Sequence, residues 1–242
     1  VILNRFLEKF AYKVADELVS LLPSADKHMV PSGLSPKKFR YIPNGIFERD
    51  VEIEKCEIEL PRNKFLIGYT GTIGISNKLE LLVEVARKIQ DENVHFCIVG
   101  KGAHKEELMA QCQADRLDNV TFFDPIKKTQ IPHFLRRLDC CYIALQDKNI
   151  FSYGVSPNKL FDYMFAKKPI LFCINSGNHP VEEGQCGYEI SYGNSDEIIK
   201  AIFKLKALTE EERVQLGANG YQYVLEKHSY SGISEQYLKL IL

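Results

Sequence analysis

Four stretches of the sequence combine residue types suited to an anionic, hydroxyl-rich ligand. The first is Gly68-Tyr69-Thr70-Gly71-Thr72-Ile73-Gly74-Ile75-Ser76-Asn77-Lys78, with three glycines spaced three apart between an apolar run and a helix-like pattern. Glycines let backbone amides come close to an anion, and a helix N-terminus favours negative charge. Thr72, Ser76 and Asn77 add uncharged donors and Lys78 adds a cation. The same stretch also reads as a tight strand-to-helix turn capped by Asn77. The second, Gly100-Lys101-Gly102-Ala103, has Lys105 where a dinucleotide fingerprint needs a third glycine. No acidic residue ends a following strand at the expected offset, which disfavours hydride transfer, and no Walker loop occurs in the chain. The third, Asp124-Pro125-Ile126-Lys127-Lys128, follows an aromatic run and offers backbone groups to a planar base. The fourth runs from Tyr153 to Met164. Ser156 is the expected N-cap and Pro157 the first helical residue. Asn158 and Asp162, four apart, share a helix face, and Lys159 neighbours Asp162. A carboxylate in the first turn is favoured by the macrodipole alone, so Asp162 has a structural reading. Equally, its two acceptor oxygens suit sugar hydroxyls while the helix start holds phosphate.

These loops need strands and helices to bring them together. Short apolar runs predict strands at Phe65–Gly71, Val94–Gly100, Val120–Phe123, Cys140–Leu145, Pro169–Ile174 and Gly187–Ser191. Between them, period-3.6 patterns predict helices at Lys78–Gln90, Ala103–Ala114, Thr129–Leu138, Pro157–Ala166 and Ser195–Leu208. The first of these carries an Asn77/Glu80 capping box. Fully apolar strands alternating with amphipathic helices imply a parallel sheet covered on both faces, a doubly wound α/β domain. Ligands of such sheets bind at the carboxyl ends of the strands, where strand order reverses. Upstream, Arg5–Leu21 reads as one amphipathic helix, followed by a Pro- and Ser-containing linker, with the sheet beginning near Phe39. Glu210–Lys227 and Gly232–Leu242 read as closing helices.

Composition narrows the classes further. The 242 residues carry 31 basic and 32 acidic side chains, a formal net charge of −1, which gives no support for nucleic-acid binding. No apolar run approaches the ~20 residues of a membrane-spanning helix. Seven cysteines, none in a C-x-x-C pair and several inside apolar runs, suit packing roles in a reducing cytoplasm. The six histidines are scattered singly, without metal-type spacing, so no metal and no cofactor is expected. Basic pairs at Lys37-Lys38, Lys127-Lys128, Arg136-Arg137 and Lys167-Lys168 read as solvated surface, with a peripheral membrane patch as the alternative.

Taken together, the ordered set Ile42-Pro43-Asn44-Gly45-Ile46, Tyr69-Thr70-Gly71-Thr72-Ile73-Gly74, Ile98-Val99-Gly100-Lys101-Gly102, Ser156–Met164 with Lys168-Pro169, and Glu182–Gly187 resembles the nucleotide-binding half of a retaining GT-B glycosyltransferase of family 4 (group 1). The wording Gly-Thr-Ile-Gly and Ser-Pro-Asn-Lys-Leu-Phe is similar to a subgroup that builds bacterial capsule, O-antigen and exopolysaccharide. The resemblance implies a Rossmann-like C-terminal domain that binds a nucleotide-sugar donor, UDP-linked, and a metal-independent transfer with retention of configuration. It assigns donor contacts to Gly71, Thr72, Gly74, Asn77, Lys78, Gly100, Gly102, Ile126, Ser156, Pro157, Asn158, Lys159 and Asp162. Of the family's Glu-x7-Glu motif, the second Glu falls on Asp162 and the first on Gly154, so its contact is either lost or supplied by a neighbour such as Ser152 or Tyr153. The family's phosphate-binding Arg and Lys fall on Thr72 and Asn77, so the diphosphate is left to loop amides, Lys78 and Lys159.

The resemblance also implies an organisation. Residues 1–38 would be the tail of a preceding acceptor-binding domain with its linker, 39–228 the donor domain, and 229–242 a closing helix. The acceptor would be a lipid-linked or growing polysaccharide at the inner face of the cytoplasmic membrane, and catalytic residues of the first domain would lie outside this chain. The chain alone is therefore expected to bind nucleotide weakly and transfer little. A non-catalytic nucleotide- or partner-binding module on the same fold is the alternative, and a nucleotide-sugar epimerase a more distant one.

Overall fold

The computed structural model describes residues 2–48, 52–89 and 93–242. The chain opens with helix α1 (Ile2–Val14), strand β1 (Leu18–Ser20), the short helix α2 (Asp26–Met29) and strand β2 (Phe39–Tyr41). The expected Arg5–Leu21 helix is thus corrected. It stops at Val14, and Leu18–Ser20 instead pairs in parallel with Phe39–Tyr41. Backbone partners for Leu18–Ser20 compete with helix, and the β-branched Val19 favours the ladder. Phe39 does begin a strand, but of this separate two-stranded sheet; the main sheet begins at Phe65.

The main sheet follows the strand–helix alternation read from the sequence. β3 (Phe65–Thr72), α3 (Leu79–Lys88), β4 (Val94–Lys101), α4 (Lys105–Ala114), β5 (Val120–Phe123), α5 (Ile131–Arg136) and β6 (Cys140–Ala144) come first. Next are α6 (Asn158–Phe165), β7 (Ile170–Cys173), α7 (Pro180–Glu183), β8 (Gly187–Glu189), α8 (Ser195–Ala207), α9 (Glu210–His228) and α10 (Tyr230–Ile241). Gln90, expected in α3, lies outside the described residues. Two helices start later than expected. Lys128–Gln130 is a 3-10 turn ahead of α5, and Lys105 rather than Ala103 opens α4.

All six strands are parallel, in the order β5-β4-β3-β6-β7-β8, so strand order reverses between β3 and β6. Alternate residues of each strand face opposite sides. Ile67, Tyr69, Phe96, Ile98 and Tyr142 pack with α3, α4 and α8, whereas Leu66, Cys97, Val99, Cys141, Ile143 and Phe172 pack with α5, α6 and α9. Burial on both faces explains why the strands read as unbroken apolar runs. All seven cysteines are buried free thiols within these layers. No described helix is long and apolar enough to cross a membrane.

Candidate functional site

The reversal point is physically open. β3 pairs with β6 only at Ile67 and Gly68, yet β3 runs on to Thr72. Past Gly68 the two strands part, and α6 fills the base of the gap. The fully buried Tyr163 hydroxyl accepts the Thr70 N–H at 2.9 Å and donates to the Thr70 carbonyl at 3.3 Å. These bonds replace the ladder bonds that Thr70 does not make with β6, so both of its buried backbone groups are paired.

Above Tyr163, the β3–α3 loop is organised around Lys159. Its ammonium donates to Asn77 Oδ1 at 2.6 Å and to the Tyr69 hydroxyl at 2.8 Å, and lies 4.3 Å from the centre of the Tyr69 ring. The Tyr69 hydroxyl passes its proton to the Thr72 carbonyl at 2.7 Å, which also accepts from Asn77 Nδ2 at 3.1 Å. Both partners of the ammonium are neutral. Burial pulls the Lys159 ammonium down to about 8 from its usual 10.5, and no carboxylate offsets that.

This arrangement corrects several residue-level expectations. Lys159 points to Asn77 and Tyr69, not to Asp162. Asn77 does not cap α3, because it closes a 3-10 turn at Ile75–Asn77 and spends its side chain on Thr72 and Lys159. The residue ahead of α3 is Lys78, in the left-handed region at φ +46°. Its ammonium is turned to Glu80 at 2.6 Å, away from the glycine loop. Ser156 does not cap α6 either, since the helix begins at Asn158 with Pro157 as the residue before it. Ser156 Oγ instead accepts the Asn44 N–H at 3.0 Å, while Asn44 Nδ2 donates to the Ser156 carbonyl at 2.8 Å. Asn44 thereby ties the segment after β2 to the start of α6. Nothing in its spacing marked it for that role, because its partner is 112 residues away.

The remaining glycines place the loops. Gly100 (φ +156°) and Gly102 (φ +158°) let β4 and its loop press against the end of β3. A Cβ on Gly100 would sit 1.9 Å from the Gly71 carbonyl oxygen, and one on Gly102 2.1 Å from that of Ile73. Gly71 and Gly74 flank exposed Thr72, and Gly71 lies directly beneath the Lys159 ammonium.

On the other flank, Asp162 is half-buried, and burial pushes its carboxyl up while Lys128 pulls it back. Among the described residues no hydrogen bond or ion pair engages that carboxylate. Ile126 is half-buried against the core beside α5 and α6. Its loop is held by Lys105, which donates to the Phe123 carbonyl at 3.0 Å and to Asp124 at 2.9 Å. Asn158 is exposed. The structure therefore brings Gly71, Thr72, Asn77 and Lys159 together at the crevice, with Asp162 and Ile126 along one side, and turns Lys78 and Ser156 to other partners.

Gly154 has no room for a side chain. At φ +107°, a Cβ there would lie 2.5 Å from Pro23 Cδ and 3.2 Å from Asn178 Oδ1. The Leu22–Ala25 segment is seated on this loop, with the Ser24 N–H donating to the Tyr153 carbonyl at 3.0 Å. Ser152 Oγ donates to the Asn149 carbonyl, and a cavity of about 590 Å³ opens beside it along the ends of β6, β7 and β8. There the histidine reading is incomplete. His179, Glu182 and Glu189 bring potential ligand atoms within 4.8 Å of one another, and His179 and Glu182 stand at the i, i+3 spacing that taking the histidines singly passes over. Glu189 is used within the protein. It caps α7 by accepting the Val181 and Glu182 N–H groups and accepts from His179 Nδ1 at 2.8 Å.

Comparison with known proteins agrees with this architecture. The family model for group 1 glycosyl transferases matches residues 64–207. The putative colanic acid biosynthesis glycosyl transferase WcaI of Escherichia coli K12 is 28% identical over 153 residues, 60% of this chain but 37% of the relative's length. HepE of Anabaena, solved with UDP, superimposes with a TM-score of 0.78 at 15% identity over 98% of this chain and 66% of HepE. Sucrose-phosphate synthase from Thermosynechococcus elongatus gives 0.78 at 17% identity over 100% of this chain and 61% of its own. At such identities these structures establish a shared Rossmann-like fold, while the family match takes in every strand of the main sheet and both loops that meet at Lys159. The chain belongs to the group 1 glycosyltransferase family.

Proposed function

We propose that this chain is the donor-binding part of a retaining GT-B glycosyltransferase that takes a UDP-linked sugar and serves bacterial surface-polysaccharide synthesis. The observation that carries the reading is the Lys159 ammonium, held at the parting of β3 and β6 by neutral partners only. A buried cation without a counter-ion is costly unless an anion joins it. A nucleotide diphosphate supplies that anion at the position where doubly wound sheets bind ligands. The amides around Gly71 and Thr72 and the start of α6 border the same point. Asp162, whose carboxylate makes no hydrogen bond or ion pair among the described residues, would accept from the ribose hydroxyls, with the base against the Ile126 loop.

In this reading the protein's contribution to chemistry is leaving-group stabilisation. As the bond from sugar to diphosphate breaks, negative charge grows on the phosphate beside Lys159, and a preorganised cation stabilises it without rearrangement. Protein groups take the place of a metal ion, so chelators should leave nucleotide affinity unchanged. WcaI is described as a colanic acid glycosyl transferase, and HepE was solved with UDP and with UDP-glucose, which favours a UDP-sugar donor and a polysaccharide or lipid-linked acceptor. The acceptor site and any contact with the inner membrane face belong to a preceding domain in this proposal, so the chain alone transfers little. Titrating UDP, GDP and ADP by calorimetry against the chain and its Asp162→Ala variant tests it. Binding of none of the three, or equal binding by the variant, would refute it. The crowding at Gly154, where the family's first Glu would stand, favours a second reading as a non-catalytic nucleotide-binding module; UDP binding without any transfer by the full-length enzyme would select it.

A further inference from the structure

Asn77 sits on a closed ring of hydrogen bonds. The Lys159 ammonium donates to Asn77 and Tyr69, and both of these donate to the Thr72 carbonyl. An ammonium has three N–H donors, and the ring takes two. Among the described residues no partner takes the third. Asn77 thus does two things that no charged residue could do together. Its carbonyl oxygen fixes the direction of a flexible four-carbon side chain, and its neutrality leaves the full positive charge unspent.

Resting on the donor-site reading above, we propose that Asn77 is a positioning residue: it holds the Lys159 ammonium, uncompensated, over the β3–α3 loop as the cation of the diphosphate subsite. The functional charge is delivered from α6, and the loop residue orients it. A 2.6 Å contact also means that the side chain at position 77 ends where the ammonium stands. An amine carried by residue 77 would therefore occupy nearly the same point.

The isosteric variant Asn77→Asp reverses the electrostatics at nearly constant shape. It gives up the Nδ2 bond to the Thr72 carbonyl, sets a carboxylate against Lys159 and cancels its charge. Calorimetry with UDP and with uridine, on the 242-residue chain, gives the readout. We expect Asn77→Asp and Lys159→Ala each to weaken UDP binding about tenfold or more, the range of a lost charge-assisted hydrogen bond. Uridine binding should hold, and the thermal midpoint of Asn77→Asp should stay near or above the parent's, because the carboxylate also relieves the buried charge. The double variant Lys159→Ala/Asn77→Lys should recover most of the lost UDP affinity. The inference is overturned if Asn77→Asp binds UDP as tightly as the parent, or if the double variant binds no better than Lys159→Ala. If the parent binds UDP no better than uridine, or Lys159→Ala binds it equally well, the donor-site reading itself falls.

Discussion

The Tyr163 hydroxyl of α6 is the hydrogen-bond partner of both backbone groups of Thr70 in β3, accepting at 2.9 Å and donating at 3.3 Å. A side chain here does the work of a missing neighbour strand. The pairing couples the stability of the sheet to the geometry of the crevice, because the helix that props β3 open also carries Lys159 and Asp162.

Tyr163→Phe should therefore destabilise the fold beyond what a lost phenol normally costs. The Thr70 N–H would be left buried and unpaired, at about 1–3 kcal/mol. Urea unfolding measures this directly. A change within ~0.5 kcal/mol of the parent would mean that β3 closes onto β6 and needs no prop.

Gly100→Ala should be more damaging than Gly74→Ala, although both glycines belong to the loops first singled out. The new methyl at 100 meets the Gly71 carbonyl oxygen at 1.9 Å, whereas the nearest atom at 74 is Thr72 Cγ2 at 3.8 Å and the backbone φ there is −149°. Forcing β3 and β4 apart strains the backbone that carries Gly71 under Lys159. We expect a lower melting temperature and weaker UDP binding for Gly100→Ala, and near-parent behaviour for Gly74→Ala. Equal behaviour of the two would show that the loops do not need their close approach.

The alternation of apolar runs and helical stripes was enough to place every strand of the main sheet. That legibility has a physical cause, since strands buried on both faces must be apolar throughout and their helices must be amphipathic. The loop residues were legible in type but not in role. Asn77 looks like a cap and Lys159 like a partner for Asp162 because those readings use local spacing. Their true partners, each other, are 82 residues apart and meet only through the fold. Asn44 and Ser156 fail for the same reason. The first helix was overextended because Val14 and Leu18 continue its apolar rhythm, while the ladder that ends it is formed with Phe39–Tyr41, well downstream.

Gly154→Glu would restore the carboxylate of the family motif on paper, yet should disrupt this chain. Its φ of +107° is costly for any side chain, and the first carbon would meet Pro23 at 2.5 Å. The Leu22–Ala25 segment should leave the Asn149–Tyr153 turn, breaking the Ser24–Tyr153 bond. Limited proteolysis near Pro23 reads this out. Unchanged protection, with tighter binding of a UDP-sugar, would show that the loop accepts a glutamate and that the contact with Leu22–Ala25 is incidental.

Affinity for UDP should fall as pH rises through about 8, the range to which burial brings Lys159. The groups facing its ammonium are the Tyr69 phenol, whose own titration burial moves upward, and the uncharged Asn77. The Asp162 carboxyl lies a turn away on the same helix, where burial raises it and Lys128 offsets only part of that rise. In the proposed site only protonated Lys159 would pair with the diphosphate, so binding should be level from pH 7 to 7.5 and weaken by up to about tenfold per unit above 8. Stability should move the opposite way. The folded-state value near 8 lies below the unfolded 10.5, so the cost of burying the charge is complete below pH 8. It declines between 8 and 10.5, where the unfolded chain holds the extra proton. Lys159→Met should accordingly melt higher than the parent at pH 7, by a margin that shrinks toward pH 10, while losing UDP binding at every pH. A parent whose UDP affinity is flat to pH 9.5, or a Met variant that melts lower at pH 7, would show that the ammonium is neither desolvated nor the group that meets the phosphate.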